Sequence, residues 1–405
     1  YRVWQGSDFD LEESLQLELN NLGNFALAEE LNKSDQLVPV VARKYSIEAG
    51  TLRYFDPIFV DARSFLRTSQ KAKNPRIIFY LAFGEDDKGL TGRLTDHFSD
   101  LDVVVQCASS EKLRDAAAEV ICLRKIQATS TELNADPIAK REFEDRMFTS
   151  AQMEQQLIHS FLEEPHLHSW THKGTTLPIS RKRELQSQLS HVLQSIYTKA
   201  PLVFNELINR DRPSVQANGA RNKLLLAMQE CEPLSDLGMQ KFPAEKAIYR
   251  ALLKETGIHQ YPEKALGNCK LVSPPDNSSR IHHDWNRIDT FLASTEQEAK
   301  SFVELNDELM APPFGVKAGL LPILYFASYL VNRSELALYE SRKYKPEFTE
   351  EMIERFTKRP DEFSVQRFRI DGLRSSIFAQ YSKVIHGDTA PRTLLELAKP
   401  LAKFM

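Results

Sequence analysis

The pattern of apolar positions changes character along the chain. At Ile77-Ile78-Phe79-Tyr80-Leu81-Ala82-Phe83 and again at Val103-Val104-Val105 it is continuous, the signature of strands buried on both faces. A helix-length segment separates the two runs and a helix is predicted from Ser110, so residues 75–130 read as a small α/β domain built on a β-α-β unit. Upstream, Glu12 and Glu13 follow Ser7-Asp8-Phe9-Asp10 and stand where a first helical turn welcomes negative charge. Residues 37–41 and 52–60 are strand-like and joined around Glu48-Ala49-Gly50-Thr51, so 1–65 reads as a winged-helix-like unit closed by a hairpin. Residues 131–311 are helical in spacing almost throughout, with helices predicted over 131–163, 181–199, 214–230, 243–256 and 284–310. A stop at Ala311-Pro312-Pro313-Phe314-Gly315 opens 312–405. There a helix, a strand over 335–340, the basic turn Ser341-Arg342-Lys343, a second strand and a further helix give another winged-helix-like unit with C-terminal helices. The fold class is therefore mixed α and β, predominantly α: a helical domain, a small β-α-β sheet domain and winged-helix-like units near both ends.

Composition narrows the setting. The chain has 405 residues, 42% hydrophobic and 27% charged, enough for several cores and too apolar for disorder. A net charge of −4 gives no global attraction to nucleic acid or membrane, so local charge must decide. Cys107, Cys122, Cys231 and Cys269 are far apart, without a C-x-x-C pair, which fits buried reduced thiols in a cytoplasmic protein. No apolar run reaches the ~20 residues of a membrane helix; the longest, 320–331, contains Pro322 and Ser328 and reads as a core helix. No signal peptide is visible, and the chain begins at Tyr1 without methionine, from which a fragment of a longer polypeptide is expected.

The stretch 195–257 is the most distinctive. Arg212-Pro213-Ser214 ends one segment and caps a helix, in which Ala217, Ala220, Leu224 and Met228 share a face. Ala217, Gly219 and Ala220 are small enough to let a neighbouring backbone approach. Asn205-Glu206-Leu207-Ile208-Asn209-Arg210, this small-residue helix and the tract 242–257 ending Leu252-Leu253-Lys254-Glu255-Thr256-Gly257 follow one another in order. So arranged, they resemble a region of the large P-loop ATPases of bacterial phage-defence islands, similar to the large ATPase subunit of BREX phage-exclusion systems. Arg2-Val3-Trp4-Gln5-Gly6-Ser7-Asp8, Thr51-Leu52-Arg53-Tyr54-Phe55 and Leu336-Ala337-Leu338-Tyr339-Glu340 fit the same resemblance. It implies an antiviral-defence ATPase whose phosphate loop lies upstream of Tyr1. ATP and magnesium would then be ligands of the full-length protein, with none expected in this chain, and the partners would be other defence proteins or further copies. No G-x-x-x-x-G-K-[ST] loop occurs here.

Candidate chemistry is sparse. His159, His166, His168 and His172 lie near Glu163 and Glu164, but Pro165 interrupts them and no H-E-x-x-H spacing occurs, so solvated loop histidines are preferred to a metal site. His282-His283-Asp284 precedes a helix that Asp284 can cap. Glu85, Asp86 and Asp87, with Lys88, Asp100 and Asp102, raise the alternative of a metal-dependent nuclease, although 77–83 carries no carboxylate. A purely structural assembly module is a third reading. Basic residues carry the preferred one. From 173 to 223, nine cations (Lys173, Arg181, Lys182, Arg183, Lys199, Arg210, Arg212, Arg221 and Lys223) face only Glu184, Glu206 and Asp211. Arg342, Lys343 and Lys345 stand at the predicted wing, followed by Lys358, Arg359, Arg367 and Arg369. Arg181, Lys182, Arg183, Arg210, Arg212, Arg342, Lys343 and Lys345 are the candidate DNA-binding residues, suited to phosphates without sequence choice; no catalytic residue and no metal ligand is assigned.

Overall fold

The computed structural model describes residues 9–23, 25–33, 37–68, 72, 74–83, 97–108, 110–261, 268–275 and 281–368. The chain forms two compact units, Tyr1–Lys44 with Arg53–Leu193, and Tyr45–Leu52 with Gln194–Met405. It is mixed α and β, predominantly α.

In the first unit, α1 (Leu11–Leu22) starts where the Asp10 carboxylate accepts from the Glu13 amide at 2.9 Å. The elements α2 (Leu27–Lys33), β1 (Val40–Val41) and β2 (Tyr54–Val60) follow; α3 (Arg43–Ala49), between β1 and β2 in the chain, has all but its first two residues in the second unit. Next come β3 (Arg76–Leu81), β4 (Asp102–Cys107), α4 (Ser110–Thr129), α5 (Thr131–Ala135), α6 (Pro137–Glu163), β5 (Ser169–His172) and β6 (Thr175–Thr176). The six strands form one sheet in sequence order. Its centre is parallel, with Phe59 beside Phe79 and Phe79 beside Val105, and its flanks are antiparallel. Ile77, Ile78, Phe79, Tyr80 and Leu81 are all fully buried, as a continuous apolar run requires. Phe79 stacks on Phe161 of α6 at 5.5 Å and meets Trp170 of β5 edge-on at 6.2 Å.

The interior pair Arg76–Asp102 ties the starts of β3 and β4. Arg76 grips both oxygens of Asp102 at 2.7 and 2.8 Å, and Ser99 donates its amide and hydroxyl to the same carboxylate at 2.9 Å. Four charge-assisted bonds account for an acid with a fully buried side chain.

The expected 37–60 hairpin differs from this arrangement. Val40 and Val41 do pair antiparallel with Phe55 and Tyr54, but α3 fills the connection and β2 continues into the sheet beside β3. Strand β2, read from the sequence as part of a separate 1–65 unit, thus belongs with β3 and β4. The helix expected between β3 and β4 falls largely on residues outside those described.

The second unit is organised around α8 (Val215–Glu230), preceded in the chain by α7 (Lys182–Ile196). Ser214 caps α8, its hydroxyl accepting from the Ala217 amide at 3.2 Å. Ala217, Ala220, Leu224 and Met228 are buried together as their spacing predicts. Helix α9 (Ala244–Tyr249) continues as a π-type turn over Arg250–Lys254. The short ladder β7 (His259–Gln260) with β8 (Lys270–Leu271) follows, then α10 (His282–Ala293), α11 (Asn306–Met310) and α12 (Leu321–Val331). Strands β9 (Leu336–Glu340), β10 (Lys343–Lys345) and β11 (Phe363–Arg367) make an antiparallel sheet in the order β10-β9-β11, and α13 (Glu350–Lys358) lies between β10 and β11 in sequence. Phe326, Phe348, Phe356 and Phe363 pack as one aromatic group. The helix predicted over 284–310 is divided, because Ser301 and Glu304 form a capping box that begins a new turn.

The Asn205–Arg210 tract is a knot. Asn209 is buried, and its two N–H groups are shared among the carbonyls of Gly50 (2.6 Å) and Val203 (2.9 Å) and the Thr51 hydroxyl (2.6 Å). Gly319 closes the other side, donating its amide to the Arg210 carbonyl at 2.9 Å. A Cβ at 319 would run into the Ile208 carbonyl oxygen and lie 2.8 Å from Pro213 Cγ.

Candidate functional site

The hairpin of β9 and β10 lies where the sequence placed a wing. Glu340 pairs with Lys343, leaving Ser341 and Arg342 as a two-residue loop with φ of 48° and 66°. This is the left-handed turn that matches strand twist. The Ser341 amide donates to the Glu362 carbonyl at 2.8 Å, fixing the loop to the neighbouring segment. Arg342 and Lys343 are exposed. Lys345 differs: its ammonium lies 3.4 Å from Glu340, which also receives Arg355 at 2.7 Å. These two cations hold the Glu340 carboxyl below the usual carboxylate range, with the Arg355 hydrogen bond as the largest cause. Beyond the wing, Lys358 pairs with Glu354, Arg359 with Glu362 and Arg367 with Glu335, so those cations serve internal partners first; Arg369 lies outside the described residues.

Arg181, Lys182 and Arg183 stand at the start of α7 and are exposed. Positive charge there opposes the helix dipole. Glu184 offsets it by accepting from the Ser180 and Arg181 amides at 2.7 and 3.2 Å, and Lys182 pairs with Glu163. These three residues belong to the first unit and Arg210 and Arg212 to the second. Arg210 is exposed and only loosely held by Glu206 at 3.7 Å; Arg212 is exposed. Of the remaining cations in 173–223, Lys173 pairs with Asp100 at 2.9 Å, Lys199 sits 5.6 Å from the Phe314 ring centre, and Arg221 is buried.

The histidines divide among separate roles. His168 accepts from the Ala108 amide at 3.2 Å and packs edge-on against Phe161; burial pushes its pKa down to about 4. His172 contacts the Asp100 carbonyl at 3.0 Å. Among the described residues no three His, Cys, Asp or Glu side chains are gathered as metal ligands would be. Asp284 is not the helix cap: α10 is preceded by Ile281, and Asp284 lies in its first turn, fully buried, with neither oxygen partnered among the described residues. Burial raises its carboxyl well above the normal range. The acidic loop 84–89 lies outside the described residues, while Asp102 is taken up by Arg76.

One constellation is absent from the sequence reading. Lys246, Arg250 and Lys254 converge on Asp236 at 3.0, 3.8 and 3.1 Å. The Tyr261 hydroxyl donates to the same carboxylate at 2.5 Å and contacts the Tyr249 hydroxyl at 3.3 Å, which meets His259 at 2.8 Å. The Tyr261 bond, helped by the lysines, drives the Asp236 pKa far down. Asp236 and Leu237 both have left-handed φ, 50° and 51°. The arrangement is an electrostatic clasp that holds a strained turn. The four-residue spacing of its cations was visible in sequence as one helix face; their counter-ion, ten residues before Lys246 and off the helix, was not.

Comparison with protein-family models, with curated proteins and with solved structures found no significant match for this chain. Among the described residues no helix is long and apolar enough to cross a membrane.

Proposed function

We propose that this chain is a non-catalytic DNA- or partner-binding scaffold region of a large bacterial anti-phage defence ATPase, working in the cytoplasm with duplex DNA or other defence proteins. The observation that carries the reading is Arg342. A two-residue hairpin loop of this type favours Asn or Gly at positive φ, and a side-chain-bearing residue in left-handed backbone costs about 1 kcal/mol or more. An arginine at this tip, exposed and followed by exposed Lys343, is a poor choice for the fold and a good one for reaching phosphates. Arg181 and Arg183 at the start of α7 are likewise exposed and set against the dipole, while Lys182 pairs with Glu163. The capture of Asp102 by Arg76 removes one carboxylate from the nuclease alternative.

Duplex binding at several salt concentrations tests the proposal. Replacing Arg342, Lys343 and Lys345 by alanine is expected to weaken binding for any sequence. The salt slope should fall by about two units, one each for the exposed Arg342 and Lys343, with little from Lys345. Unchanged affinity and slope, in this variant and in one lacking Arg181, Lys182, Arg183, Arg210 and Arg212, would reject DNA binding and leave a protein-interaction scaffold.

A further inference from the structure

Arg221 shares the inward face of α8 with Ala217, Leu224 and Met228 and is only 7% exposed. Among the described residues its Nε has no hydrogen-bond partner. Burial lowers its pKa, with no carboxylate among the described residues acting to raise it. Since a guanidinium stays protonated in proteins, a full charge is held in an apolar wall without a counter-ion among the described residues, which is strongly unfavourable unless an anion completes it. The same side chain lines a cleft of about 290 Å³. Among the described residues Asp211 is the only carboxylate in that lining, and it is neutralised by Lys317 at 2.6 Å, so this lining keeps a net positive charge. Asn306 also lines it, and its Oδ1 accepts from the Tyr325 hydroxyl at 2.8 Å. That bond fixes the amide and leaves its Nδ2 hydrogens for a ligand. Leu321, Pro322 and Phe356 supply an apolar wall.

We infer that this cleft is a binding site for a small organic oxyanion. One carboxylate or phosphate group sits on the Arg221 fork, Asn306 donates to a second oxygen, and an apolar body packs on Leu321, Pro322 and Phe356. The volume has room for roughly ten non-hydrogen atoms, more than a bare ion fills and about the size of an aromatic acid or its phosphate ester. The site is distinct from the exposed cations of the wing and does not depend on DNA binding.

Isothermal titration of the full chain with benzoate, phenyl phosphate and the neutral analogue benzamide provides the test. One equivalent of benzoate or phenyl phosphate is expected to bind, and the tighter of the two identifies the head group; benzamide is expected to bind at least ~30-fold more weakly. Arg221→Met should lower anion affinity by a similar factor, and Arg221→Lys, which keeps the charge but loses the fork, by roughly 10-fold. If Arg221→Met does not fold, Asn306→Asp replaces it: this isosteric change retains the Tyr325 bond, adds negative charge to the cleft and should also weaken binding ~30-fold. Absence of binding by both anions, benzamide binding as tightly as benzoate, or affinity unchanged in the variants would overturn the inference.

Discussion

Gly319→Ala and Gly219→Ala add the same methyl group to one unit and are expected to move its stability in opposite directions. Gly219 lies within α8 and is exposed, and a Cβ there meets nothing within 4 Å. The sequence expectation that it admits a neighbouring backbone is therefore not met, and alanine should stabilise by ~0.5–1 kcal/mol through helix propensity alone. At Gly319 the added carbon overlaps the Ile208 carbonyl oxygen and lies 2.8 Å from Pro213 Cγ and 3.1 Å from the Arg210 oxygen. Backbone and ring atoms cannot swing aside as a flexible side chain does. Parting the two segments also stretches the Gly319 to Arg210 hydrogen bond. Overpacking of ~1–3 kcal/mol and about 1 kcal/mol for the bond give a loss of roughly 2–4 kcal/mol. At ~2–4 °C per kcal/mol for a unit of this size, Gly319→Ala should lower Tm by roughly 5–15 °C, and Gly219→Ala should raise it by about 1–4 °C. Differential scanning calorimetry of the full chain reads both. A Gly319→Ala midpoint equal to the wild type would refute the close approach and the account of how the 205–213 segment is held.

Arg76→Met should cost ~3–5 kcal/mol in denaturant titrations, because it strands Asp102 as a buried charge; a cost below ~1 kcal/mol would place that pair in solvent. The raised carboxyl of Asp284 means that the folded chain keeps this proton to higher pH than the unfolded chain does. Its contribution is therefore full below the unfolded pKa near ~4 and lost as pH rises. Asp284→Asn should accordingly stabilise at pH 8 and much less at pH 4, and a pH-independent difference would contradict this. His168 acts in the reverse sense: with a folded pKa of about 4 against an unfolded value near ~6.5, its contribution is full above that value and declines as pH falls toward 4. Tm measured across this window should fall less steeply for His168→Gln than for the wild type.

Local patterns were legible wherever the periodicity was pure. Ile77–Leu81 and Val103–Val105 are the strands their continuous apolar runs imply, and Ala217, Ala220, Leu224 and Met228 lie on the buried face their spacing defines. The β9–β10 hairpin was legible because strand, basic turn and strand follow one another locally. Pairing across distance was not. Nothing in Tyr54–Val60 announces a parallel neighbour at Arg76–Leu81, and the seven residues of α3 were too short to stand out from a turn. Charge was the hardest part of the candidate site to read. Lys345 and Arg367 look like surface cations until Glu340 and Glu335 are placed beside them. Arg221, counted with the basic surface, shares its face with Ala217, Leu224 and Met228, and its spacing alone marks it as an inward charge.

The knot at Asn209 sets an order of events during synthesis. The Thr51 hydroxyl and the Asn209 amide that meet in it are 158 positions apart, and residues 45–52 are grouped with 194–405 rather than with their chain neighbours. A growing polypeptide therefore carries this eight-residue segment without its partners while the strands and helices of the first unit emerge. The second unit cannot be completed until the 203–209 stretch has left the ribosome and closed that long loop, an entropic cost that grows only slowly with its length. A fragment started at residue 194 would lack the Gly50 and Thr51 acceptors of the Asn209 amide, so gene truncation at the apparent boundary would yield a unit missing one of its own parts.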